Sequence, residues 1–208
     1  LLLQGHDAAG TRELKSVARD ARTTEDYEIL GWSLGSLART AALAGDVDTA
    51  MARMVECVEL AEKAGAMSSR VRAAVNMALV HLARGAYADA ESAVAAILPM
   101  ARERRIGLDH EPFLLACQAE AMSKNGRSEE AVVVAKEAVA RARDYGTRLW
   151  EIPARLSLAG ALRSEDEQQK DTIAGELSEA ERLIDVTGAE VFRPWLKRES
   201  DEVAARTV

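Results

Sequence analysis

The chain has 208 residues, 48% of them hydrophobic and 4% aromatic, with four prolines and a formal net charge of −7. That apolar content excludes a disordered chain and suits one sizeable globular unit or a short helical array, while the scarcity of aromatics and proline favours helix over strand. The acidic balance, with a pI near 5.2, repels nucleic acid and anionic lipid, so direct nucleic-acid binding is not expected.

The opening LLLQGHD turns polar too soon for a signal peptide, and no window approaches the ~18 uninterrupted apolar residues of a membrane span. A cytoplasmic chain without membrane contact is the expectation. Residues 7–22 read as the second helix of a repeat whose first helix is nearly all missing, with Gly5 at its turn and Leu14 on its inner face. Half a repeat at an end leaves an apolar edge open, which points to the C-terminal part of a longer protein.

From Gly5 onward a comb of residues runs through the chain. Gly45, Gly85 and Gly126 stand 40 and 41 residues apart, each followed five places on by an alanine: Ala50, Ala90 and Ala131. Twelve residues before each of these lies another, Ala38, Ala78 and Ala119. The glycines fall where one amphipathic helix must stop and the chain reverse, and the paired alanines let two antiparallel helices approach closely. Gly65, Gly107, Gly146 and Gly188 then close the second helix of each pair with a left-handed cap.

The comb predicts repeats at about 1–22 (partial), 24–65, 67–107, 108–146 and 147–188, with a cap at 189–206, in one domain spanning 1–208. First helices fall at about 24–43, 68–83, 110–124 and 148–163, and their partners at about 47–64, 87–105, 128–145 and 170–187. In the last unit Ala159 stands where Ala38 does, but its partner is read as Ala174, three residues late. The polar run SEDEQQKD, residues 164–171, holds the insertion as a charged loop. The closing segment has a polar C-terminal half suited to a cap.

The small residues at Ala78 and Ala90, the aromatic Tyr87 and the Gly85-x-Tyr87-x-x-Ala90 turn resemble the tetratricopeptide repeat. Units of about forty residues, with stretches such as YGTRLWEIPARLSLAGALR and ERLIDVTGAEVFRP, look like the elongated C-terminal repeats of large bacterial signalling ATPases. That group includes maltose-activator-type transcription regulators and ATPase modules fused to adenylyl cyclases. The resemblance implies an all-α fold, a right-handed α-solenoid of antiparallel helix pairs with about four full repeats, a half repeat and a capping helix.

It also implies a non-catalytic module that binds a peptide, protein or small molecule in a concave groove and regulates upstream domains of the same chain. The alternatives are a regulatory segment of an ATPase or cyclase enzyme and an oligomerisation scaffold. Placed in register on the small residues, the family pattern turns Trp32, Gly35 and Arg39 of the first full unit toward the groove. Arg72, Val75 and Leu79 follow from the second, Phe113, Glu120 and Lys124 from the third, and Leu156 and Arg163 from the fourth. An aromatic with an arginine on one face could stack on and hydrogen-bond an extended peptide or an anionic small molecule. The same residues can instead fill gaps between units or stand solvated.

Other motifs carry little chemistry. His6, His81 and His110 sit in separate units away from metal-ligand partners, so no metal or cofactor is expected; His81 reads as a partly buried packing residue. Pro112 disfavours helical geometry at Glu111. Cys57 and Cys117 read as small buried hydrophobes. Gly31 and Gly35 have the spacing of close helix packing, Glu129 and Glu130 complement a helix N-terminus, and the sequence holds neither a phosphate-binding loop nor a nucleophile–base signature.

Overall fold

The computed structural model describes residues 7–165 and 169–205. Gly5, His6, the centre of the polar run at 166–168 and the last residue of the expected cap lie outside the described residues. Among those described, the chain forms ten α-helices: α1 (Asp7–Thr23), α2 (Tyr27–Leu43), α3 (Val47–Ala64), α4 (Met67–Ala83), α5 (Tyr87–Arg104), α6 (Glu111–Lys124), α7 (Ser128–Asp144), α8 (Arg148–Glu165), α9 (Lys170–Thr187) and α10 (Arg193–Ala205). Single 3-10 turns at Leu108–His110 and Glu190–Phe192 precede α6 and α10.

The glycine comb works through one repeated turn. After α2, the amide of Asp46 donates to the carbonyl of Ala41; after α4, Ala86 donates to His81; after α6, Arg127 donates to Met122. This bond reaches back over a residue in the left-handed region, and Gly45, Gly85 and Gly126 hold φ of 82°, 72° and 79° there. Asp46 then caps α3 by accepting the Thr49 amide at 3.3 Å. Asp26 does the same for α2, accepting from Ile29 at 3.0 Å. That cap, with Glu25 at φ 55°, starts the helix at Tyr27 rather than at the expected residue 24.

Two other local expectations change. Arg105, at φ 54°, is the left-handed cap of α5, and Gly107 follows it at φ 69° with Val71 packed against its α-carbon. Glu111 is helical despite preceding Pro112, which sits in the first turn of α6 where its missing N–H costs no intrahelical bond.

The chain divides into two compact units, Leu1–His110 and Glu111–Val208. In the first, α2 packs on α1, α3 and α4, and α4 also packs on α3 and α5; in the second, α8 packs on α6, α7 and α9, and α10 lies against α8 and α9. Ala38, Ala50, Ala78 and Ala90 in the first unit and Ala119, Ala131 and Ala159 in the second are wholly buried, so the paired small residues do mark the close helix contacts. Larger residues between them, such as Met54, Val94, Leu114 and Ile152, fill the remaining space, each contributing about 1.5–3 kcal/mol through burial.

The inner face of α9 departs from the expected register. Ala174 is exposed, and Ile173 takes the buried place held by Ala50, Ala90 and Ala131 elsewhere, with Leu177, Ala180 and Ile184 continuing the same face. The spacing from Ala159 is therefore one residue shorter than the alanine alone implied, because the helix buries whichever apolar residue lies on its inner stripe.

Candidate functional site

In the first unit, α2 and α4 lie side by side and build a small cleft of about 40 Å³, lined among others by Trp32, Arg39, Arg72, Val75, Asn76 and His110. It has room for a few water-sized atoms, the dimensions of one functional group of a ligand rather than a whole molecule. Four of the residues expected to face a groove, Trp32, Arg39, Arg72 and Val75, thus do converge. Trp32 is 49% exposed at the rim, while Val75 is buried in the floor.

Gly35 and Leu79 play other parts. Both are buried, and a Cβ on Gly35 would stand 2.6 Å from the Asn76 amide nitrogen. The glycine therefore clears the space that Asn76 occupies. At Gly31, one turn earlier, a Cβ would stand 3.6 Å from the Leu60 Cβ of α3, an ordinary contact, so the close approach depends on Gly35 rather than on Gly31.

The polar groups of the cleft are held in place. Arg72 donates to Glu28 at 2.9 Å and reaches Ser69 at 3.4 Å. Arg39 reaches the Asn76 side-chain oxygen at 3.4 Å, and burial holds its guanidinium down to about 10. His110 meets Asp109 at 2.8 Å, and burial lowers its imidazole below the ordinary histidine value, with Arg39 and Arg72 adding to the effect against Asp109. Cys57 donates its thiol to the Gly31 carbonyl at 3.2 Å, and burial pushes the thiol up to about 11. Its thiolate is disfavoured, the reverse of an activated nucleophile.

The groove register passes over Asn76 and His110. Asn76 is two places before Ala78, off the chosen positions, and its orientation depends on the missing Cβ of Gly35. His110 arrives from the turn after α5, which helical periodicity cannot place.

In the second unit the corresponding face is filled by the chain itself. Phe113 is wholly buried, stacked on Trp150 at 4.9 Å between centroids and met edge-on by Phe192 at 6.4 Å. Leu156 is wholly buried as well. Glu120 accepts from Arg198 of α10 at 2.8 Å. Arg163 donates to Glu199 of α10 at 2.7 Å and pairs with Glu202. Lys124 remains exposed.

Glu199 is wholly buried above Gly160, whose absent side chain leaves room for it. Burial raises the Glu120 carboxyl above its ordinary value; Arg198 works against that shift and Glu199 adds to it. The cap helix is thus tied down by buried ion pairs in the part that its composition marks as polar.

His81 is half-buried, its Nδ1 4.0 Å from Asp89, and burial lowers its imidazole. Among the described residues no cluster of histidine, cysteine and carboxylate could hold a metal ion, and no helix is long and apolar enough to cross a membrane. No model of a known protein family matches the chain, and the search for similar curated proteins likewise finds no match.

Proposed function

We propose that the chain is a non-catalytic recognition module of tetratricopeptide-like repeats, stacked as a right-handed solenoid, which binds a peptide or an anionic small molecule and regulates a signalling or transcription-regulatory domain of the same polypeptide. The observation that carries the reading is the convergence of Trp32, Arg39, Arg72 and Asn76 on one cleft between α2 and α4. A half-exposed indole beside two guanidiniums and an amide supplies a stacking face and directional donors for an anionic group. The recurrence of the helical hairpin, with buried alanines in one register and the same turn bond after α2, α4 and α6, supports the repeat architecture. The raised Cys57 thiol fits recognition better than covalent chemistry.

The test uses the indole N–H resonance of Trp32, assigned by its loss in Trp32→Phe, during titration with acidic, neutral and basic peptides of one length. Acidic peptides are expected to move it, and Arg39→Ala with Arg72→Ala to remove the response. A Trp32 signal indifferent to every peptide, or a response unchanged in the double variant, overturns the proposal.

A further inference from the structure

The two units pose the same face twice, covered by the C-terminal segment in the second and edged by a half-exposed tryptophan in the first. With Ala38 and Ala119 in register, Trp32 and Arg39 of α2 occupy the positions of Phe113 and Glu120 of α6, each pair seven residues apart. In the second unit, Phe192 packs edge-on against Phe113, and Arg198, six residues later, bonds Glu120 at 2.8 Å. In the first unit the aromatic of the pair is 49% exposed, and the charge has the opposite sign.

We infer that the α2–α4 face docks a helical segment of a partner protein, with an aromatic over Trp32 and a carboxylate six residues later on Arg39, in the order in which Phe192 and Arg198 meet Phe113 and Glu120. This deepens the groove reading above and rests on it. Charge complementarity sets the sign: Glu120 is matched by an arginine, so Arg39 at the same register calls for aspartate or glutamate. Burial, which already disfavours the charged form of Arg39, makes a carboxylate partner more effective there than a neutral group. Clearance sets a further requirement. Glu199 fits because Gly160 has no side chain, whereas the register equivalent of Gly160 in α4 is Leu79. The residue after the carboxylate must therefore be small.

The probe is a blocked synthetic peptide copying residues 190–205 with Arg198→Glu and Glu199→Ala, titrated into the whole chain and followed by anisotropy. It is expected to bind at least tenfold more tightly than the same peptide with arginine kept at 198, and Arg39→Glu in the protein should reverse that order. Trp32→Ala, a change at a rim residue, should weaken binding at least tenfold, with circular dichroism reporting the fold of each variant.

Affinity that ignores the sign of residue 39 overturns the inference. If the helical peptide fails while acidic extended peptides still move the Trp32 resonance, this inference falls and the broader groove reading stands. If no probe moves it, both fall.

Discussion

Arg198 Nη2 stands 2.8 Å from Glu120 Oε1, a bond that joins α10 to α6 across 78 positions of sequence. Around it Glu199 and Arg163 are nearly inaccessible, at 1% and 6% side-chain exposure, and 2.7 Å apart. Removing one partner of such a pair strands the other charge away from water. Glu199→Ala is therefore expected to lower the unfolding free energy by about 3–5 kcal/mol in urea titration. Lys197→Ala, which breaks only the exposed pair with Asp201 on the same helix, should leave the midpoint unchanged.

Glu120 makes stability depend on pH in a definite direction. Its folded carboxyl is raised above 4.5, chiefly by burial, so the native state holds this proton more tightly than the unfolded chain does. The corresponding stability is fully present below the ordinary glutamate value and is lost as pH rises through the folded value. The stability of the native sequence relative to Glu120→Gln should fall as pH rises through that window, measured by urea unfolding at a series of pH values. Parallel curves would show that pairing with Arg198 cancels the effect of burial.

Both thiols should be silent in the native protein. Cys57 is pushed up to about 11, and burial raises the wholly buried Cys117 further still. Because the thiolate is the reactive form, labelling by an aromatic disulfide reagent should proceed only as the chain unfolds, with the same denaturant dependence as the loss of helix. Rapid reaction of Cys117 without denaturant would contradict its burial.

Gly107 and Gly146 separate backbone strain from crowding. Both have left-handed φ, 69° and 65°, and alanine at either position should cost about 1 kcal/mol for that reason alone. Only at Gly107 would the new methyl group meet a neighbour, Val71 Cγ1 at 2.8 Å. Gly107→Ala is expected to be the more destabilising by about a further 1–3 kcal/mol in thermal or urea unfolding. Equal losses would mean that α4 moves aside at little cost.

The two aromatics in matched register should behave oppositely. Phe113→Ala empties a site enclosed by Trp150 and Phe192, with an expected loss of about 3–5 kcal/mol. Trp32→Ala removes a half-exposed ring and should change stability by a small fraction of that while weakening ligand binding. Comparable destabilisation by both would mark Trp32 as a packing residue.

Much of the local structure is legible in the residues. The spacing of Gly45, Gly85 and Gly126 marks the turns because left-handed backbone is costly for other residues, and the buried alanines lie where the paired small residues place them. Ala174 shows the boundary of that logic: a small residue at nearly the right spacing marks the inner position, yet Ile173 holds it. In the cleft, Trp32, Arg39, Arg72 and Val75, to which the resembled repeat pattern points when laid in register, line one space. That pattern does not show that Asn76 needs the space left by Gly35, nor does it bring His110, which comes from a turn.

What the sequence by itself determines about this protein is helix, turn and inward stripe, since those depend on backbone sterics and on periodicities within a few residues. What only the tertiary structure decides is which inward or polar face is covered. Glu120, Arg163 and Glu199 have the composition of a solvated surface, and only the packing of α10 on α8, with Arg198 reaching across to α6, pairs them away from water. No local pattern carries that information, because the energy of a charge depends on what lies beside it in space, and here its partners come from distant parts of the chain.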